Sequence, residues 1–363
     1  MILVSSQISN KRPLFCPCMS IFCLSTHRAP LCSSTSSAVA YPDFAVKSID
    51  VLCSILEGLS RYGALQAYRD CSLPDLLVLG VPTDRPIDAM LGLAQAALVL
   101  TSTHDSDSRD QGSGSGGLAV PTAGFGLTGD LLRLYGAAGD MAIQALVPGV
   151  VQTCLAALRA NRLIPSSMAL YNNVVWVLQL CFALPNALGA DVGSAADATL
   201  SQLLPSMHDP RCDYTLRCNL AALLGAVVKA APTQAAAVAV DVVVPWAGFV
   251  VEFDRDGGIG ACWSDVSTER LVAVGGLVEL LGLQPGLLGQ KEIFEAVVGA
   301  VVAAVDLVDM EKAGAGAGAA AAAATAPGLL PLVLAMKGAA GQAMWTQVVS
   351  DLDSESRAVA DSF

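Results

Sequence analysis

Apolar residues recur at helical spacing through most of this chain. Phe44, Ile49, Leu52, Ile55, Leu56 and Leu59 fall on one stripe and predict a helix from Asp43 onward. A second apolar segment covers Leu65 to Leu79. A turn is predicted at Pro82-Thr83-Asp84-Arg85-Pro86, and Ile87 to Leu100 is helical again. Thr101 to Gly126 is polar and rich in Gly and Ser, which predicts a flexible insertion, with helices resuming at Leu127. Further helices are predicted to end near Pro148, Pro185, Pro232 and Pro285. Each is followed by another: Val150 to Leu158, Ala195 to Leu204, Gln234 to Val244 and Glu292 to Val305. These prolines lie 37, 47 and 53 residues apart. Paired helices at a period of about forty to fifty residues predict an all-α fold, an α–α superhelix of HEAT or armadillo type with roughly six pairs.

The array is expected to span residues 41–363. Ala313 to Ala326 reads as an Ala/Gly low-complexity insert, and helices around Leu329 to Val349, carrying Trp345, close the stack. Residues 1–40 are rich in Ser, Cys and Pro and lack a helical period, so they read as a disordered extension or a mispredicted start.

One stretch stands apart: Tyr171-Asn172-Asn173-Val174-Val175-Trp176-Val177-Leu178-Gln179-Leu180. As a helix it places Asn172, Asn173, Trp176 and Gln179 on one face and Val175, Leu178 and Phe182 on another. An aliphatic side turned inward, with Trp and amides turned away, suits holding a ligand. The plain alternative is that Trp176 belongs to the core, as Trp in helical proteins more often does. Asn173-x-x-Trp176 and Asn219-x-x-Ala222 occupy matching places 46 residues apart.

Charge narrows the partners. The net charge is -12, and residues 1–40 carry Lys11, Arg12 and Arg28 with no acid. The remainder holds 17 basic against 32 acidic side chains, a balance of -15. Such a surface repels nucleic acid and anionic lipid and favours basic partners. Mean hydropathy is +0.57, yet the longest uncharged run, Leu163 to Ala190, is broken by Pro165, Asn172, Asn173, Gln179, Pro185 and Asn186. Ala296 to Val305 is apolar but too short to span a bilayer. Both read as buried helices, so no membrane insertion is expected.

No chemistry of an enzyme emerges. Gly112 to Gly117 lacks the Lys-Ser/Thr of a phosphate loop. Cys16, Cys18, Cys23 and Cys32 cluster near the start, and seven other cysteines are scattered. With only His27, His104 and His208 beside them, no metal site or cofactor is expected, and the thiols read as free and reduced. Asp254, Asp256 and Gly257-Gly258 lack the spacing of a calcium loop. Asp50 and Glu57 lie seven residues apart on one helix face, where a solvated acidic face is the simpler reading.

Several motifs in order resemble the C-terminal part of transportin, the karyopherin-beta-2 branch of the importin-beta family. They are Asp43-Phe44, Asp50, Leu52 and Glu57-Gly58-Leu59; Asn172-Asn173-x-x-Trp176; Asn219-x-Ala221-x-x-x-Gly225 with Pro232; Pro245-Trp246; Glu269 to Pro285; and Trp345. The resemblance covers about residues 41 to 363. It implies a nuclear import receptor, or a fragment of one, that shuttles between cytoplasm and nucleus. Its partners would be nucleoporins and cargo proteins bearing basic, proline-tyrosine-type localisation signals. By this resemblance Trp176 supplies the Pro-Tyr pocket, Asp50 and Glu57 contact basic side chains, and Asn172 and Asn173 hydrogen-bond the peptide backbone.

The sequence departs from the family in three places. An isoleucine of the family falls near Ala222, which implies a shallower pocket. An acid of the family falls on Ala137, leaving Asp140 or Asp130 to supply that charge. The family's N-terminal arch, which binds the GTPase Ran, has no counterpart here, so Ran is a partner only if such an arch exists. A HEAT-repeat scaffold without an import role is the alternative, and a polytopic protein of Ala/Val/Gly-rich helices is the remote third reading.

Overall fold

The computed structural model describes residues 42–70, 77–78, 81–82, 86–103, 116–161, 163–252, 266–306, 328–338 and 341–363. The expected extension at 1–40 and the Ala/Gly insert at 313–326 lie outside the described residues.

The first helix, α1 (Pro42–Arg61), forms as its pattern predicts. Ala45, Ile49, Leu52, Leu56 and Leu59 are all buried, three or four residues apart. Asp43 sits in its first turn and Arg61 in its last, each complementing the helix dipole. The chain turns at Gly63, whose φ of +63° favours glycine, into the short α2 (Leu65–Arg69). A minimal antiparallel pairing follows between β1 (Leu77–Val78) and β2 (Val81–Pro82). The rest of the described chain is helical: α3 (Pro86–Thr103), α4 (Gly116–Leu131) with a π-helical turn at Leu132–Gly136, α5 (Met141–Gln144), α6 (Val147–Ala160) and α7 (Met168–Phe182). After these come α8 (Pro185–Leu188), α9 (Val192–Met207), α10 (Tyr214–Ala230), α11 (Pro232–Ala237), α12 (Ala239–Glu252) and α13 (Val266–Leu283). The last helices are α14 (Lys291–Asp306), α15 (Leu329–Lys337), α16 (Gln342–Asp351) and α17 (Ser354–Asp361). The fold is therefore all-α.

The long helices stack in two rows. In the first row α1 packs on α4, α4 on α7, α7 on α10, α10 on α13, and α13 on α15. In the second row α3 packs on α6, α6 on α9, α9 on α12, and α12 on α14, which α16 and α17 cover. Successive helices α3/α4, α6/α7, α9/α10 and α12/α13 join the rows as hairpins. One continuous core runs between them, with Val174, Val175, Leu178, Leu216, Val227, Val243 and Val297 essentially without solvent contact.

Two expectations change. The predicted insertion is shorter than its composition suggested: α3 continues to Thr103 and α4 already begins at Gly116, while 104–115 lie outside the described residues. Val120 and Phe125 belong to the core. The glycines that mimic a loop here serve packing. A Cβ on Gly124 would come within 2.6 Å of the Ala97 Cβ on α3, so the pair α3/α4 needs a bare backbone at that point. The hydroxyl of Thr122 donates to the Leu118 carbonyl and that of Thr128 to the Gly124 carbonyl, so both are satisfied inside the helix.

Helices end where expected, at Gln144, Phe182, Ala230 and Leu283, shortly before the four prolines. Pro148, Pro185 and Pro232 stand in the first turn of α6, α8 and α11, and Pro285 opens a 3₁₀ turn at Pro285–Gly289. A first-turn N–H has no intrahelical acceptor, so proline loses nothing there. Three of them thus begin a short connecting turn between hairpins. The expected apolar segment Leu65 to Leu79 reduces to α2 and β1.

No single helix among the described residues is long and apolar enough to cross a membrane. The stretches Pro165–Phe182 and Pro185–Met207 pass such a test only together, and they meet at 90°.

Candidate functional site

The face that carries the expected site is built on α7. Val174, Val175, Val177, Leu178, Cys181 and Phe182 are buried, which fixes the helix rotation and leaves Asn172, Asn173, Trp176 and Leu180 partly exposed.

The indole of Trp176 closes on Gly129 of α4. A Cβ at position 129 would overlap its six-membered ring. The ring therefore rests on backbone, packs against the core and is partly exposed. Three residues back on the same helix, Asn173 donates through Nδ2 to the Thr122 carbonyl at 2.8 Å. Its amide also lies 3.5 Å from where a Cβ of Gly126 would be. Asn173 thus meets α4 at Thr122 and Gly126, and Trp176 meets it at Gly129, so α4 and α7 run parallel.

Asn172 faces the other neighbour. Asn219 of α10 is buried and donates through Nδ2 to Asn172 Oδ1 at 2.6 Å. Asn173 and Asn219, which the sequence places in equivalent positions, therefore do the same thing: each donates its amide back to the preceding helix of the first row. Both expected backbone-binding amides are in part occupied by the fold. Asn172 uses its acceptor and Asn173 one donor hydrogen, so one NH₂ group and one carbonyl oxygen remain for a ligand.

The acids lie along α1 and α4. Asp50 and Glu57 are exposed on α1, and Glu57 is paired with Arg61 one turn on. Between them Cys53 points toward α4, where its thiol hydrogen-bonds to the Asp130 carboxylate. Burial pushes this thiol above its usual range, and the charges of Asp130 and Asp50 push it further. Asp130 is itself held above the ordinary carboxylate range by burial, with Glu57 adding to the rise. The bond from Arg133, 3.0 Å away, opposes the shift. Asp50, Glu57 and Asp130 form one acidic patch, and Asp130 directly follows the glycine beneath the indole.

Two expected site residues fall elsewhere. Asp140 is buried, caps α5 by accepting from the Ala142 and Ile143 amides at 2.9 and 3.2 Å, and pairs with Arg69 at 2.8 Å. Its charge is neutralised inside the structure, and Tyr135 nearby is pushed up to about 12, chiefly by burial. Ala222 has no exposed surface, so its methyl group is closed off from any ligand on the outer face. The residue that seats the ring is Gly129; the next residue, Asp130, turns its carboxylate to Arg133 and to Cys53 of α1. A glycine in an apolar run signals close packing, but nothing in the sequence tells which ring it receives.

A second hollow of about 330 Å³ lies between α3, α4 and α6, lined by Leu91, Leu98, Leu131, Ile143, Leu146 and Val150. Among the described residues no group of His, Cys, Asp and Glu is arranged to hold a metal. No family model, curated protein or solved structure matches the chain.

Proposed function

We propose that the two-row stack is a HEAT or armadillo-type superhelix that binds an extended, basic segment of another protein along α1, α4 and α7. On this reading the chain acts as a nuclear import receptor for proline-tyrosine-type signals and shuttles between cytoplasm and nucleus. The observation that carries it is the Trp176 indole, partly exposed and seated on Gly129 of α4, the helix that also carries Asp130. An apolar shelf on α7, with Asp130, Glu57 and Asp50 on the next two helices of the row, suits a chain with alternating apolar and cationic side chains. The excess of 32 acidic over 17 basic residues beyond position 40 favours the same partner. The ordered motif resemblance to transportin supplies the import role, with cargo proteins and nucleoporins as partners.

The test is binding of a labelled Arg/Lys-rich peptide ending in Pro-Tyr to wild type and to Trp176→Ala. Loss of a central aromatic anchor is expected to weaken binding by on the order of 2 kcal/mol or more. Equal affinities would remove Trp176 from the site.

One observation favours a scaffold instead. Asn172, Asn173, Asp140 and Ala222 all serve the fold. A scaffold would retain stable partner subunits in a pull-down, and Trp176→Ala would leave them in place.

A further inference from the structure

The hollow between α3, α4 and α6 lies off the Trp176 face, because α3 and α6 belong to the second row. Its floor is closed: Leu98, Leu131, Leu132 and Ile143 are buried. Its mouth opens between α3 and α6, where Gln95, Ala145 and Gly149 are exposed. Protein interiors hold few voids larger than a water molecule, and a cavity of about 150 Å³ already takes benzene. At about 330 Å³ this hollow is roughly twice that size and reaches the lower range of ligand pockets. Steric crowding does not impose it. A Cβ on Gly149 would meet nothing within 4 Å, so a larger residue there would close the mouth without a clash.

The chemistry of the wall narrows what fits. Among the described residues that line it none is ionisable, in a chain of net charge -12. An anion or cation placed there would leave water without meeting a counter-charge, so a neutral ligand is favoured. The Thr128 hydroxyl gives its hydrogen to the Gly124 carbonyl at 2.8 Å, and Thr153 gives its own to the Gly149 carbonyl at 2.9 Å. Each oxygen therefore keeps only lone pairs to offer. Gln95 holds the remaining side-chain N–H donors of the lining, and it stands exposed at the mouth. The side chains of the inner wall thus match a donor on the ligand, not an acceptor.

We propose that this hollow binds a neutral, largely apolar small molecule about two fused rings in size, carrying one O–H or N–H that donates to Thr128. The site is separate from the proposed peptide face, and either stands without the other.

The test is calorimetric titration of the full chain with indole, 1-methylindole and indole-2-carboxylate. Indole should bind saturably, with 1-methylindole about tenfold weaker for want of the donor hydrogen. The carboxylate, ionised at neutral pH, should be weaker than indole by at least about tenfold. In Thr128→Val, which keeps the shape, indole should fall to the level of 1-methylindole, whose own affinity changes less than about twofold. Gly149→Leu fills the mouth and should weaken both neutral ligands about tenfold or more. Its urea midpoint is expected unchanged or raised, since leucine is the better helix former. Should Gly149→Leu not fold, Thr128→Val decides alone. Indole that fails to saturate below about 10 mM, or that binds Gly149→Leu as it binds wild type, overturns the site. Equal affinities of indole and 1-methylindole in wild type, or an unchanged preference in Thr128→Val, overturn the role of Thr128. A carboxylate that binds as tightly as indole overturns the neutral class.

Discussion

Asn219 reaches from α10 to α7 and places its Nδ2 2.6 Å from Asn172 Oδ1, while Asn173 repeats the gesture from α7 to the Thr122 carbonyl of α4. These amides tie three successive hairpins together at their first-row helices. Apolar contacts alone would let neighbouring helices slide by a turn. A directional bond between buried groups admits one register. Asn219→Ala should therefore cost about 1–3 kcal/mol in urea unfolding, because Asn172 is left short of a donor. Asn219→Asp should cost more, since it sets an acceptor against an acceptor in a buried place.

Glycine substitutions in the first row should separate by what lies opposite each one. At Gly225 a Cβ would run into the Val272 carbonyl, and at Gly129 into the Trp176 ring. Backbone cannot move aside as a side chain can. Gly225→Ala is expected to cost at least about 3 kcal/mol and Gly129→Ala about 1–3 kcal/mol. The latter should also change the tryptophan fluorescence and weaken peptide binding. At Gly126 the new Cβ would find the Asn173 amide at an ordinary 3.5 Å. Gly126→Ala should be neutral or stabilising by up to about 1 kcal/mol. Urea midpoints of the three variants check the order.

Asp140 gives a control for the proposed face. Asp140→Ala removes the cap of α5 and leaves Arg69 without this partner, so a loss of about 1–3 kcal/mol is expected. Asp140→Asn keeps an acceptor for the cap and should lose less. Neither change should alter peptide affinity once folding is confirmed. A selective loss of binding in Asp140→Asn would put this carboxylate back in the site.

Protonation of Asp130 should be visible in two opposite ways. Its carboxyl is held above the ordinary range, mainly by burial, so the folded chain keeps this proton more tightly than the unfolded chain does. Its contribution favours folding at low pH. That contribution fades as the pH rises through the ordinary carboxylate range to the raised value, and is constant above it. Asp130→Asn should therefore gain stability relative to wild type across this interval as pH increases. Binding of a basic peptide runs the other way: it should strengthen through the raised pKa in wild type as the charge appears. In Asp130→Asn that step should be missing. Paired urea and anisotropy titrations against pH measure both.

How much of this was legible in the sequence depends on what each residue is for. The stripe from Ala45 to Leu59 and the apolar side of α7 announce their helices, because burial on one side imposes a 3.6-residue period. The start of α4 was hidden. Gly124 looks like a loop residue and instead lets Ala97 of α3 approach closely, a tertiary demand with no local signature. The equivalence of Asn173 and Asn219 was visible as spacing, but their acceptors lie 51 and 47 residues away. The acids divided for the same reason: Asp50 and Glu57 stayed exposed, whereas Asp140 was claimed by Arg69 from another helix.

The meeting of Gly225 with Gly276 has a mechanical corollary. There α10 and α13 touch backbone to backbone, with the Val272 side chain alongside. Such a joint resists further compression at once, whereas opening it is opposed only gradually, as the buried Leu and Val side chains of the two helices part. Thermal bending of the stack at this point can only gape on the first-row side or squeeze the softer, side-chain-filled second row, so this joint acts as a mechanical stop rather than a spring.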